Sequence, residues 1–373
     1  MSELGLAPLT ARVLAARGVS DPVEAQRFLT PSLERDWSDP LLIPDMEEAV
    51  QRIMRAISDG ESIAVFGDFD VDGMSAASVL GLGLRALGAQ VRAFIPDRFT
   101  EGYGLSKNAL LRVVEACKPQ LVVTVDNGIA SAEEVKALLE HNIDVVITDH
   151  HEPADLVPTG VPVVDPKLSA DCPSRDLAGA GVALKLVCEL GRRLGQPHLW
   201  RSLTELACLG TVSDMMVLQG ENRALVADGI ECMHHSTRPG LAALAQIAKV
   251  DLSTVAADDL PFSIIPRLNA AGRMGSTDIA FKLLFTDDIE EASLLAASLE
   301  QINEVRRETE FAMSEAALAE AERCWDGGRV VVVAGGGQHK VFTVSLIHPL
   351  RHDSRVENHG EQFSAKLFGS LSV

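Results

Sequence analysis

The residues that promise chemistry are three aspartates at alternate positions, Asp68, Asp70 and Asp72 in "GDFDVDG". Carboxylates at this spacing repel one another unless positive charge sits among them, and divalent cations supply it most directly. Further along, Asp126 stands in "VTVDNG", Asp149, His150 and His151 in "VITDHHEP", Asp165 in "VVDPK" and Asp214 in "LGTVSD". Aspartate mixed with histidine suits Mn2+ or Mg2+ better than structural zinc, which favours cysteine and histidine. The chemistry implied is metal-assisted hydrolysis, in which two ions about 3.5–4 Å apart activate water and stabilise an attacked phosphorus centre. An EF-hand reading of the aspartate run fails, because Val79 stands where loop position 12 requires glutamate.

Such residues need elements to bring them together, and the surrounding text supplies them. Short β-like runs at 62–68, 90–97, 120–128, 143–149 and 161–166 alternate with helical text at about 73–88, 106–117 and 131–141. Val/Ile-rich strands separated by helices predict a parallel sheet covered on both faces, with ligands bound beyond the carboxyl ends of its strands. The acidic residues fall at those ends: Asp68 to Asp72, Asp126, the Asp149–His151 run and Asp165 each close a strand. A helix starting near Gly73 adds N-terminal amides that attract phosphate.

Residues 178–250 read as mostly helical, and 287 to about 325 as one long helix without Gly or Pro. At about 1.5 Å per residue that helix exceeds 50 Å, long enough to connect two domains. "GRVVVVAGGG", 328–337, then begins a strand of a second unit. The expected fold is therefore α/β: a parallel-sheet catalytic domain over 46–286 preceded by an N-terminal helical extension (1–45), a connecting helix (287–326), and an incomplete second domain (327–373).

The chain has 373 residues, 47% of them hydrophobic, enough for two cores. No apolar run reaches the roughly 18 residues that span a bilayer, and the N-terminus lacks a basic stretch followed by an apolar core, so a cytoplasmic protein is expected. The six cysteines form no CxxC pair and read as reduced core thiols. A net charge of −20 argues against broad binding to duplex DNA, though not against a local basic channel.

Taken in order, "GDFDVDGMSAASVL", "RFTEGYGLS", "VTVDNGIAS", "VITDHHEP", "VVDPK", "LAGAGVALKL", "LGTVSDM" and "PRLNAAGRMG" resemble the DHH phosphoesterase family, on its RecJ branch of single-strand-specific 5′→3′ DNA exonucleases. The likeness covers roughly residues 40–337. It implies that Asp68, Asp70, Asp72, Asp126, His150 and Asp214 hold two Mn2+ or Mg2+ ions, with Asp126 bridging them. It implies that His151 touches the scissile phosphate or completes the site, and that Asp149 orients the histidine pair. It places Arg98, Tyr103, Ser75, Arg267, Asn269 and Arg273 against the substrate, the last three on a small-residue loop that closes over the strand, and offers Lys167 as a further phosphate contact. Asn127 stands where the family usually has cysteine. The implied activity is hydrolysis of single-stranded DNA to 5′-mononucleotides in repair and recombination, beside a helicase and a single-strand-binding protein, with no membrane partner.

From about Lys340 the family pattern disappears, and the tail "KVFTVSLIHPLRHDSRVENHGEQFSAKLFGSLSV" reads as a frameshifted or replaced end. The expectation is a complete metal site beside a half-built substrate clamp, hence weak and poorly processive activity. Two alternatives stand beside it: a DHH phosphoesterase of short oligonucleotides or nucleoside bisphosphates, and a non-catalytic binding module of the same fold. The second normally lacks metal ligands, which are all present here.

Overall fold

A five-stranded parallel sheet, in the order β2-β1-β3-β4-β5, carries the first unit. Its strands are β1 (Ser62–Phe66), β2 (Gln90–Phe94), β3 (Leu121–Val125), β4 (Asp144–Thr148) and β5 (Val163–Val164). The structure is a computed structural model. It describes residues 4–324 apart from Arg98, Tyr103, Ala154 and the side chains of Glu322 and Cys324, together with the backbone of three short strands farther on. The strand expectations hold, each run being shorter than the sequence suggested because its last residues turn away as the loops that bear the acids.

Alternation along these strands feeds two cores. Ile63, Val65, Leu121, Val123, Val125 and Val146 join one buried cluster, while Ala64, Phe66, Val122, Val145 and Ile147 join the other. With apolar side chains on both faces, each strand needs helices on both sides. The helices run α1 (Pro8–Ala16), α2 (Pro22–Leu29), α3 (Leu33–Asp36), α4 (Met46–Asp59), α5 (Val71–Ala86), α6 (Lys107–Cys117) and α7 (Ala132–Glu140). They continue as α8 (Gly179–Arg193), α9 (Thr204–Ser213), α10 (Gly220–His234), α11 (Pro239–Ala248), α12 (Ile265–Arg273), α13 (Thr277–Phe285) and α14 (Ile289–Cys324). α4, α5, α8 and α9 bury their apolar faces in the first cluster, and α6 and α7 in the second.

Because β1 has β2 on one side and β3 on the other, the chain reverses its winding there. The carboxyl ends of the strands at such a reversal point are where α/β sheets bind ligands.

The N-terminal extension is packed into the same unit. Lys185 of α8 is wholly buried, its Nζ donating to Glu221 Oε1 and the Ser38 carbonyl, both at 2.6 Å, and lying 3.9 Å from the Trp37 ring centroid. The Leu33 amide donates to Asp228, and Arg223 to the Phe28 carbonyl. A buried ammonium stripped of its carboxylate is costly. Glu221→Ala is expected to remove about 3–5 kcal/mol of stability, read from urea unfolding by circular dichroism. Replacing Lys185 and Glu221 together by Met and Leu should recover most of it; if the single change is neutral, the pair does not hold the extension.

The chain divides into residues 1–302 and 303–373, so the boundary falls inside α14 where the sequence reading puts one at each of its ends. In the second unit three strands, β6 (Val331–Val333), β7 (Phe342–Leu346) and β8 (Ala365–Leu367), pair antiparallel in that order. The expected strand within 328–337 is β6. The remaining tail, on which the altered-end reading falls, lies outside the described residues. The five cysteines whose side chains are described are all free thiols. No described helix is long and apolar enough to cross a membrane.

Candidate metal centre

The loop after β1 turns straight into α5. Asp70 caps that helix, accepting the Gly73 amide at 3.0 Å, so the helix begins at Val71 rather than near Gly73. One of the N-terminal amides expected to draw phosphate is thus already taken. Asp72, in the first turn, is buried beneath α8 and α9. Its two oxygens accept the amides of Gly179 and Ala180, at 2.7 and 3.0 Å, so the N-terminus of α8 fixes this carboxylate and offers it the positive end of a helix. Sequence reasoning gives "LAGAG" no such task; a carboxylate that must lie under a helix start, with small residues to let it approach, was the available signal.

Asp126 follows β3 with φ +60°, a left-handed conformation unusual outside glycine. The twist carries its side chain inward against α8, where it is 2% exposed. Asn127 holds the turn by donating to the Val125 carbonyl at 2.9 Å, which gives this residue a structural role in place of the family's cysteine. After β4, Asp149 accepts amides from Ile129 and His150 at 2.9 and 2.7 Å and the His151 ring Nδ1 at 2.7 Å. It thus holds the His151 ring and the backbone amides of both histidines. Asp214 caps the carboxyl end of α9, one side of its carboxylate open to solvent.

These elements converge. His150 Nε2 lies 3.0 Å from Asp126 Oδ1, 3.6 Å from Asp72 Oδ2 and 3.8 Å from Asp214 Oδ2. Three trios each bring one ligand atom per residue to within 4.8 Å of one another: Asp68, Asp70 and Asp126; Asp72, His150 and Asp214; Asp126, His150 and His151. Asp126 and His150 are shared between trios, so two adjacent cation positions meet at them.

The electrostatics say what is wanting. Burial and the charges of Asp70 and Asp214 push Asp72 up to about 8. Asp126 is pushed well above the carboxylate range by burial and by Asp72, Asp70 and Asp68, and Asp214 is raised by burial and Asp70. Burial and the neighbouring His151 lower His150 to about 4, so its ring is neutral and can offer a lone pair. Asp126 Oδ1, though buried, accepts no hydrogen bond, and His150 Nδ1, beside the Leu177 carbonyl, makes none of good geometry. A bare carboxylate oxygen facing a neutral imidazole nitrogen at 3.0 Å is two acceptors aimed at one point. A proton or a cation resolves that arrangement, and with four carboxylates around it the residues fit hard divalent ions bound by oxygen and nitrogen.

His151 behaves differently. Its hydrogen bond to Asp149 raises it to about 9, so it is an imidazolium, and its side chain is 48% exposed at the mouth of the site.

The residues assigned to substrate are less uniform. Arg98 and Tyr103 lie outside the described residues. Ser75 is fully enclosed in α5, near the spot where a methyl on Gly210 of α9 would meet its Cβ at 3.2 Å. This corrects its placement: it backs the wall that carries Asp72 and has no surface for a strand. The "PRLNAAGR" text forms helix α12, preceded by a π-helical turn at Leu260–Ile264, where the sequence suggested a loop. Pro266, which has no amide to donate, sits where the π-helical turn passes into α12. Arg267 is held by a two-pronged pair with Glu300, at 2.6 and 2.9 Å, and by the Ser263 carbonyl. Asn269 is half-buried and Arg273 exposed. α12 reaches the centre through Gly272, where an added methyl would lie 2.9 Å from the Phe69 carbonyl in the first aspartate loop.

Residues 62–211 match the model of the DHH family's N-terminal domain. The chain is 38% identical over 336 residues to the single-stranded-DNA-specific exonuclease RecJ of Bacillus subtilis, covering 90% of this chain and 42% of that protein. To the Escherichia coli protein of the same name it is 37% identical, covering 85% and 56%. Among solved structures it superimposes on exonuclease RecJ bound to manganese with a TM-score of 0.69 at 38% identity, over 74% of this chain and 70% of that one. The chain belongs to the RecJ branch of the DHH family. A second RecJ-branch structure, from Thermus thermophilus and in complex with Mn2+, matches with a TM-score of 0.75 at 35% identity, over 86% of this chain and 45% of that one. The chain therefore spans about half the length of the curated relatives it matches.

Proposed function

We propose that this chain is a metal-dependent, single-stranded-DNA-specific exonuclease that hydrolyses phosphodiesters in the 5′→3′ direction and releases 5′-mononucleotides. The relatives' names and their Mn2+ and Mg2+ complexes support this reading. The observation that carries it is Asp126, whose buried Oδ1 accepts no hydrogen bond while its carboxylate belongs to two cation-sized groups.

In this reading Asp68, Asp70, Asp72, Asp126, His150 and Asp214 hold two Mn2+ or Mg2+ ions. The ions supply the charge that lowers the cost of ionising water and of crowding negative oxygens around phosphorus. The chain's own residues do the rest. The α8 amides fix Asp72 in place. Asp149 keeps His151 protonated and aimed outward, where the imidazolium meets the phosphate oxygens and holds a proton for the 3′-oxygen of the departing mononucleotide. Asn269 and Arg273 at the end of α12, with Arg98 and Tyr103, take the strand; Arg267 acts by fixing α12 to α14 through Glu300. A cytoplasmic setting, beside a helicase and a single-strand-binding protein in repair and recombination, belongs to the same reading.

The test is a nuclease assay with Mn2+ on 5′-labelled single strands, 3′-labelled single strands and blunt duplex. Mononucleotides appearing from the 5′ end of single strands alone, and their disappearance in excess chelator, are the expected results. Undiminished cleavage in chelator, or equal cleavage of duplex, overturns the reading. Faster turnover of dinucleotides than of long strands would instead place the chain with small-substrate phosphoesterases.

A further inference from the structure

One cluster of charges beside the metal centre is left unused by that account. β5 ends at Asp165, which is buried and accepts the Lys167 amide at 2.8 Å. The register of β4 and β5 pairs Thr148 with Val164, and the Asp149 amide donates to the Val164 carbonyl. Asp165 therefore lies next to Asp149, and the short turn Pro166–Leu168 carries Lys167 toward the histidine pair. The Lys167 side chain is only 20% exposed, and its ion-pair partner is Glu152 at 3.6 Å, the residue directly after His151. Arg175 stands beside it, its Nη1 donating to the carbonyls of Lys167 and Ser169 while its Nη2 is 3.8 Å from the same Glu152.

Two cations thus share one carboxylate that is 71% exposed, and neither touches it at hydrogen-bonding distance. Lys167 is positioned by the β5 turn and Arg175 by two backbone carbonyls, so neither owes its place to Glu152. An anion arriving between them would meet preset donors, with a weakly held carboxylate to displace. The centre needs such help. Asp68, Asp70, Asp72, Asp126, Asp149 and Asp214 outnumber the charge of two divalent ions and one imidazolium, and the whole chain carries −20. A polyanionic strand approaching it requires fixed cations outside the ligand set.

We propose that Lys167 and Arg175 form a phosphate-binding subsite at the β5 edge of the centre, which takes a backbone phosphate of the strand next to the scissile one, with Glu152 occupying it in the strand's absence. This rests on the proposed function and adds to it a positioning pair, on the side of the centre away from α12, and a built-in competitor.

The test is binding, separate from turnover. Fluorescence anisotropy of a labelled oligo-dT strand is measured with the full chain in the Asp126→Ala background, over a range of salt. Lys167→Gln and Arg175→Gln should each weaken binding roughly fivefold to tenfold. Each should also make the dependence of log Kd on log salt shallower by about 0.7, the release expected for one single-strand phosphate contact. Lys167→Arg should restore most of the loss. Glu152→Gln should move the other way, tightening binding about two- to fivefold, a gain that mere damage to the loop would not produce. Unchanged affinity and salt slope in both Gln variants overturns the subsite. If neither the wild-type chain nor the Asp126→Ala chain binds a strand, the proposed function falls, and the subsite is judged by calorimetry with inorganic pyrophosphate in metal-free buffer. Binding by the parent that is lost in the double variant supports it; no binding, or binding the double variant keeps, overturns it.

Discussion

Asp126→Asn is expected to abolish exonuclease activity, by roughly 10³-fold or more, while leaving the fold intact. Asn keeps the size of the side chain and removes its charge and one of its two acceptor oxygens. The loss follows from position. Asp126 is the carboxylate common to two of the three cation-sized groups, so its removal takes a ligand from both and leaves only the Asp72, His150 and Asp214 group whole, whereas loss of Asp68 or Asp214 would touch one. The stability readout separates this from structural damage. Without ions the Asp126 carboxylate is buried among like charges with a bare oxygen, which burdens the folded state. In chelator the variant should therefore melt at or above the wild-type temperature. With Mn2+ the order should reverse. A ligand present at about 100 times its Kd stabilises the wild type by about 2.7 kcal/mol, and the variant forgoes it. Differential scanning fluorimetry with and without Mn2+, beside the nuclease assay, reads both. A variant that keeps both the Mn2+-dependent rise in melting temperature and strand hydrolysis would remove Asp126 from the centre.

Much of this centre was legible in the chain because strands announce their ends. Val/Ile runs of five residues closed by aspartate place Asp68, Asp126 and Asp149 on one rim before any fold is known, since parallel strands must all end on the same side. Asp214 was harder: it follows a helix, and only its motif and resemblance brought it in. What stayed hidden depends on packing between elements far apart in sequence. Nothing local in "LAGAG" shows that its first amides grip Asp72, 107 residues earlier. The family likeness sets Ser75 against the substrate, yet α8 and α9 close over it. The α12 text reads as a small-residue loop, but its small residues sit inside a helix that ends at Arg273, with Gly275 just beyond it. Arg267 shows the remaining limit, since the Glu300 that takes its guanidinium lies 33 residues away on another helix.

The second large effect is expected at a residue with no side chain. A methyl built on Gly179 would lie 2.6 Å from the Asp126 Cβ and 2.7 Å from its Oδ1, closer than nonbonded atoms sit. Asp126 cannot yield easily, because its left-handed backbone is braced by Asn127, and α8 cannot yield without drawing its amides off Asp72. Gly179→Ala therefore displaces Asp126, or Asp72 through the α8 amides, or both. Displacements approaching 1 Å at a reacting site cost about 10²-fold, and overpacking of this kind costs about 1–3 kcal/mol of stability. The expected variant folds, loses most of its Mn2+ stabilisation and hydrolyses single strands about 10²-fold or more slowly. Gly181, two residues on in the same helix, supplies the contrast. Its added methyl would lie nearest Leu177, 3.2 Å from Cδ2 and 3.3 Å from Cβ, which a shift of a few tenths of an ångström relieves, and alanine is the better helix former by about 1 kcal/mol. Gly181→Ala should match or slightly exceed the wild type in stability and leave hydrolysis within about twofold. Equal damage from the two changes would mean that α8 simply tolerates no alanine at its start. Damage from Gly179→Ala alone would show that the helix begins with glycine to let Asp126 into the centre.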